Sequence, residues 1–158
     1  MQASDWEQVR AICLEGIATR VATFETDVPG WLAWDAAHLP SCRLVARSAD
    51  SVLGWAALGA VSGRSVYAGV ADVSIYVGAS ARAKGVGRAL LARLIEESER
   101  NGIWTLQAGI LAENGASLRL HKGCGFREVG RREKIGKLGQ AWRDVILLER
   151  RSRRVGLE

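Results

Sequence analysis

A glycine-punctuated turn between an apolar strand and a helix constrains this chain more than any other feature. Residues 73–91 read VSIYVGASARAKGVGRALL, so a β-branched run ends in a small, basic turn that opens into an apolar-periodic helix. Gly85 and Gly87 remove side chains where the helix begins, which lets a ligand approach amides that have no partner within the helix. The helix dipole favours an anion there. Three basic side chains surround the same point: Arg82, Lys84 and Arg88.

Two other glycine-loop chemistries and a purely structural turn are the alternatives for this stretch. The phosphate loop GxxxxGK[ST] has no match in the sequence. A dinucleotide fingerprint needs GxGxxG in the first βα unit, whereas GVGRAL (85–90) lacks the third glycine and follows the third predicted strand. A pyrophosphate site therefore remains as the functional interpretation, and a glycine-assisted tight turn remains as the structural one.

The composition predicts one domain with a continuous core. The chain has 158 residues, 48% of them hydrophobic, and contains no internal repeat, linker or low-complexity segment. We therefore expect a single domain over residues 1–150, followed by a basic tail over residues 151–158.

The cysteines indicate the cellular compartment, and the charges indicate which classes of partner to expect. Cys13, Cys42 and Cys124 are odd in number and lack CxxC spacing, which favours a reducing cytoplasm and no metal site over a disulfide framework. No apolar run reaches the length of a membrane span. The formal net charge is +5, but no aromatic residues interleave the basic tail, so we expect no nucleic-acid partner.

Apolar periodicity and turn residues predict a mixed α/β layer in the order α-α-β-β-β-α-β-α-β-β. Strands are predicted at residues 67–77 and 103–110, and each precedes a helix. The first of these helices begins at Lys84 or Gly85 and ends at Asn101, and the second is capped near Asn114.

Two motifs in consecutive order carry a resemblance to a known superfamily. R-x-x-G-x-G begins at Arg82, and N-x-x-S-x-x-L-H-x-x-x-G-F begins at Asn114. With the shorter pieces ATFET, GWAAL and SIYV, they make the chain resemble the GCN5-related N-acetyltransferase superfamily over about residues 5 to 150. Within it, the chain is most similar to phosphinothricin, methionine sulfoximine and arsinothricin acetyltransferases.

The resemblance implies a fold and a cofactor. The fold is a mixed, mostly antiparallel sheet flanked by helices, in which strands 70–77 and 103–110 splay apart and hold acetyl-CoA. Superfamily members usually begin with a strand, and residues 1–4 are too few to supply much of it, so we expect a truncated first edge strand. The residues implied to bind the cofactor are Ile75, Tyr76, Val77, Arg82, Ala83, Lys84, Gly85, Val86, Gly87, Arg88 and Asn114.

The resemblance also implies two residues for proton transfer. Amide formation requires that the amine lose a proton, that the oxyanion be stabilised and that the thiolate leave. Asp72 stands where relatives carry a glutamate proposed as the general base, often through a water; the shorter aspartate needs such a bridge more. His121 matches the histidine of the second motif and is expected to face the thioester. The structural alternatives are a strand-end carboxylate and a core histidine.

The predicted acceptor is a small anionic amino acid. The resemblance implies that Arg64 and Tyr67 bind its anionic groups and that Phe24 lines its pocket. The predicted reaction is acetylation of the α-amine of phosphinothricin, methionine sulfoximine or arsinothricin, which would detoxify it, in a protein that pairs as a homodimer. The alternatives are another amine acceptor (a protein N-terminus, lysine or polyamine) and a non-catalytic acyl-CoA sensor.

Overall fold

The elements follow the predicted order in the computed structural model, which describes residues 1–157. The helices are α1 (Trp6–Ala18), α2 (Trp31–Ala37), α3 (Val86–Arg100) and α4 (Gly115–Gly123). The strands are β1 (Leu44–Ser48), β2 (Ser51–Ala60), β3 (Val70–Val77), β4 (Thr105–Leu111), β5 (Arg127–Leu138) and β6 (Ala141–Arg151). The expectation of a mixed α/β fold is confirmed.

The six strands form one mixed sheet in the order β1-β2-β3-β4-β6-β5. Only β3 and β4 are parallel, because α3 carries the chain back across the sheet between them. Their register contains three pairs, from Val70↔Thr105 to Asp72↔Gln107. Beyond Asp72 and Gln107 the two strands separate, which produces the predicted splayed pair.

The strand predicted from residue 103 begins two residues later. The Trp104 amide donates to the Gly69 carbonyl at 2.8 Å, and the same carbonyl accepts from the Thr105 amide at 3.0 Å. Gly69 leaves the space that the indole of Trp104 fills. A bulky anchor therefore precedes the strand, which the apolar pattern of the sequence does not distinguish from the strand itself.

Both faces of the sheet are covered at β2, each by a different set of helices. On β2, Ala56 and Leu58 belong to a core with Leu91 and Leu94 of α3. The alternate residues of β2 face the other side, where Trp55 packs with α1 and α2. That second core is aromatic, and its tryptophans are Trp6, Trp31, Trp34 and Trp55.

The chain after β6 packs against the end of α3. Ser152 is buried, and its hydroxyl donates to Glu99 Oε1 at 3.0 Å. Arg150 donates to the same carboxylate oxygen at 3.0 Å. Glu158, the last residue of the predicted tail, lies outside the described residues. Across residues 1–157, none of the helices has the length and apolar character that crossing a bilayer requires.

Candidate active site

The cleft lies where β3 and β4 diverge and has a volume of about 1030 Å³. β2 pairs with the outer edge of β3 as far as Val77, so those backbone groups are satisfied. The edge of β3 that faces β4 has no strand partner after Asp72. Residues 73–77 and 108–111 therefore wall the cleft with backbone groups that are free to bind an extended ligand.

The glycine-rich turn forms one end of the cleft. Gly85 has φ +84° and is the N-cap of α3, with no side-chain cap hydrogen bond. The first amides of α3 are therefore available to an anion. The turn is tied to the strand because Arg82 Nε donates to the Val77 carbonyl at 3.1 Å. A Cβ at Gly87 would lie 3.2 Å from Leu120 Cδ2, so glycine allows α3 and α4 to approach closely.

The arginines at this end of the cleft form no ion pair within residues 1–157. Arg82 and Arg88 lie on the cleft wall, and neither forms an ion pair there. Arg119 of α4 shares both properties and was not among the predicted residues. It follows Asn114 by five residues, and the spacing of the second motif leaves that position unspecified. An anion with several charges suits this arrangement.

Asn114 has a structural role as well as a place on the wall. It is the N-cap of α4, and its side-chain oxygen accepts from the Ser117 amide at 3.1 Å. Its side chain therefore fixes the start of the helix that carries His121.

His121 is 2% exposed and packs edge-on against Phe126, with ring centroids 5.1 Å apart. Its Nδ1 lies 2.9 Å from the Ser117 carbonyl, which can only accept, so Nδ1 carries the proton. Nε2 is buried and has no hydrogen-bond partner. Burial lowers the pKa of His121 below its ordinary value, and the bond to Ser117 opposes that shift. The result is a neutral imidazole with an unused lone pair beside the cleft.

Asp72 lies on the face of the sheet opposite to the one that α3 covers, because its neighbours Ala71 and Val73 pack in the core with α3. Its Oδ1 accepts from Gln107 Nε2 at 2.7 Å. Burial raises the pKa of Asp72 and the bond from Gln107 lowers it. The next residue on the same face, Ser74, is part of the cleft wall, but Asp72 itself is not.

The predicted acceptor residues are divided. Phe24 lies on the wall, and its ring fills the space left by Gly136 on β5. Arg64 and Tyr67 form a cation–π pair at 5.6 Å in the exposed segment before β3, away from the wall. Lys84 and Val86 are also off the wall, whereas every other residue predicted to bind the cofactor is on it.

The prediction did not include most of the segment after α1. Its wall residues are Thr19, Val21, Ala22, Thr23 and Glu25, and Gly16 of α1 adjoins them on the wall. The only sequence signal for it was the piece ATFET. Gly16 brings the end of α1 close to Tyr76: a Cβ at Gly16 would lie 2.7 Å from the Tyr76 ring, which stacks on Trp55 with ring centroids 5.0 Å apart.

Comparison with known proteins identifies the family. The acetyltransferase (GNAT) family profile matches residues 6–126. Two relatives are a methionine sulfoximine/methionine sulfone acetyltransferase of Salmonella typhimurium and a phosphinothricin N-acetyltransferase of Alcaligenes faecalis. The first is 33% identical over 78% of this chain and 73% of its own length, and the second 32% over 92% and 77%.

A crystal structure shares the fold over the whole chain. It is a phosphinothricin acetyltransferase from Sinorhizobium meliloti in complex with acetyl-CoA, with a TM-score of 0.89 and 26% identity. The match covers 100% of this chain and 89% of that one. The chain thus belongs to the acetyltransferase (GNAT) family and is an N-acetyltransferase.

Proposed function

We propose that this enzyme transfers the acetyl group of acetyl-CoA to the α-amine of a small glutamate-like amino acid, namely phosphinothricin, methionine sulfoximine or arsinothricin. The observation that carries the proposal is the cleft itself. It joins an unpaired strand edge, which suits pantetheine, to a helix N-terminus surrounded by uncompensated arginines, which suits a pyrophosphate.

The residues of the cleft fit coenzyme A in three independent respects. The edge of β3 offers amides and carbonyls to an extended amide chain. The start of α3 offers unpartnered amides beside Arg82 and Arg88. His121 Nε2 is a buried acceptor without a donor, and a buried orphan of this kind calls for a ligand. When bound, acetyl-CoA supplies the activated acyl group.

The chain's own groups then handle protons and charge. Asp72, kept charged in part by Gln107, accepts the proton of the acceptor ammonium, through a water because the carboxylate lies beneath the wall. Backbone amides near Tyr76 and Val77 stabilise negative charge that develops on the carbonyl oxygen. His121 is neutral, so it acts through Nε2 as a hydrogen-bond acceptor rather than as a proton donor.

The acceptor preference rests on positive charge and on the relatives' names. Arg64, held over Tyr67 outside the cleft wall, is the planar cation that we propose for a carboxylate or phosphinate, and Phe24 offers an apolar surface on the wall itself. Acetylation removes the positive charge of the amine, which is the basis of the detoxifying role that we propose. The three free thiols suit a cytoplasmic location.

We also propose a homodimer that uses the last hairpin. β5 is an edge strand, and it carries exposed Val129 and Ile135, while Trp142 of β6 is 55% exposed. Sedimentation equilibrium of the wild type should give twice the monomer mass, and Trp142→Ala should shift the equilibrium towards monomer. A wild-type monomer at micromolar concentration would contradict this part of the proposal.

Free-thiol release from acetyl-CoA tests the proposed activity. The acceptors are phosphinothricin, methionine sulfoximine, arsinothricin, glutamate, spermidine and an alanyl peptide. We expect turnover on the first three, and a loss in kcat/KM of about 100-fold or more in Asp72→Asn. Turnover only on spermidine or the peptide would overturn the substrate assignment. Acetyl-CoA binding without any turnover would favour the sensor.

A further inference from the structure

Gln107 stands beside the proposed base at the point where the sheet opens. It forms the last register pair of the parallel ladder with Asp72, and its Nε2 donates to Asp72 Oδ1 at 2.7 Å. Both side chains are half-buried. A hydrogen bond to a carboxylate from a fixed, partly buried amide is stronger than one between neutral groups. We propose that Gln107 is a positioning residue that aims the Asp72 carboxylate and keeps it ionised.

The surroundings of Asp72 leave this task to Gln107. On β2 the residue paired with Asp72 is Gly59, which has no side chain to hold the carboxylate. Within residues 1–157 no other hydrogen bond reaches either carboxylate oxygen, so Oδ2 is free to hold the bridging water. Two residues beyond Asp72 and Gln107, the small residues Ser74 and Gly109 follow on the same face and line the cleft, so neither position places a bulky side chain between Asp72 and the cleft.

Charged side chains around Asp72 do not replace this bond. Glu149 and Arg127 follow Gln107 in the same row across β6 and β5, and they pair with each other. His38 lies after α2 on the same side of the sheet, stacked on Trp34, and Arg64 lies in the segment before β3. The causes of the shift in the pKa of Asp72 are burial, which raises it, and Gln107, which lowers it.

The bond also offsets the short side chain of Asp72. Aspartate is the shortest acidic side chain, with one methylene between its backbone and its carboxylate, so its reach towards the amine depends on its orientation. Cross-strand pairing fixes the backbone of both residues, so the amide can hold the short carboxylate in one orientation. This inference rests on the proposed function, because it takes Asp72 as the proton acceptor.

The pH dependence of kcat/KM tests the inference with Gln107→Met, an unbranched replacement of similar length that has no donor. Without the donated bond the pKa of Asp72 rises, so the acid limb should move to higher pH. At the acid end we expect a loss of about tenfold, which is largely recovered at alkaline pH. Gln107→Leu should give the same shift. Thr105→Val, on the same strand and face, should leave the profile unchanged.

The two proposals can fail separately. An acid limb that stays in place in folded Gln107→Met and Gln107→Leu, with thermal denaturation and acetyl-CoA binding as the controls for folding, would overturn the role of Gln107. Full activity in Asp72→Asn would overturn the base assignment, and the Gln107 inference with it. A uniform loss at all pH values would mean that Gln107 is only a packing residue, which also contradicts the inference.

Discussion

At the scale of single residues, His121 Nε2 affects both the stability of the fold and the chemistry of the cleft, because it is buried beside the cleft without a hydrogen-bond partner. A buried imidazole without a partner at Nε2 cannot be charged cheaply, and burial lowers the pKa of His121 accordingly. The ring is thus held in its neutral form, with the Ser117 carbonyl fixing the tautomer. A buried acceptor without a partner can bind a donor group of a ligand, and it destabilises the fold when no ligand is bound.

The lowered pKa of His121 predicts a loss of stability in acid. Because the unfolded chain takes up the proton at higher pH than the folded chain, the stabilisation is complete above about pH 6.5 and declines as pH falls towards the folded pKa. Denaturant unfolding between pH 8 and pH 5 should show a smaller decline in His121→Gln than in the wild type. The variant His38→Gln is measured beside His121→Gln, because burial lowers the pKa of His38 as well. Equal declines in the wild type and His121→Gln would contradict the argument.

Gly69 gives a prediction about packing alone. A Cβ there would overlap the indole of Trp104. The backbone of Trp104 is fixed by hydrogen bonds to Gly69 before β3 and to Ser152 after β6. Gly69→Ala should lower the free energy of unfolding by about 1–3 kcal/mol. Gly63, in the same segment, has no heavy atom within 4 Å of its added Cβ, so Gly63→Ala should change it by less than about 0.5 kcal/mol. Chemical denaturation compares the two, and equal effects would contradict this assignment.

At the scale of elements, two of the three arginines of helix α3 differ in whether they form ion pairs. Arg88 lies on the cleft wall without an ion pair among the described residues, whereas Arg93 bridges Glu96 at 3.0 Å and Glu97 at 2.6 Å on the outer surface. Arg88→Gln should therefore raise the KM for acetyl-CoA about tenfold and leave the KM for the amine unchanged. Arg93→Gln should change neither constant by more than about twofold. Steady-state kinetics decide this, and equal effects of the two variants would contradict the placement of the anion.

The elements themselves were largely predictable from the sequence, and their contacts were not. Strand β3 and helix α3 follow from a β-branched run and a glycine N-cap, which are local signals. The hydrogen bond from Gln107 to Asp72 depends on the register of two strands that are 35 residues apart, which no local pattern specifies. Arg119 and the segment after α1 reach the cleft for the same reason. The resemblance supplied Asp72 and His121, but not the face of the sheet on which each lies.

At the scale of the whole molecule, the fold separates two tasks by the two faces of one sheet. The face that carries α3 and α4 presents cations and His121, and the other face presents Asp72 and the aromatic core around Trp55 and Tyr76. The gap between β3 and β4 is the opening through which groups on the two faces can reach each other. In the reaction that we propose, the anionic acyl carrier would therefore bind on the face with the cations, and the small amine would approach from the face with Asp72.

Amide hydrogen exchange with and without acetyl-CoA tests most directly whether this gap is the functional site. We expect protection of the amides among residues 73–77 that face the gap and of the first turn of α3, because acetyl-CoA would pair with them, and no change in β2, which is paired with β1 on one side and β3 on the other. Unchanged exchange at residues 73–77 under saturating acetyl-CoA, or protection confined to another part of the molecule, would contradict the account.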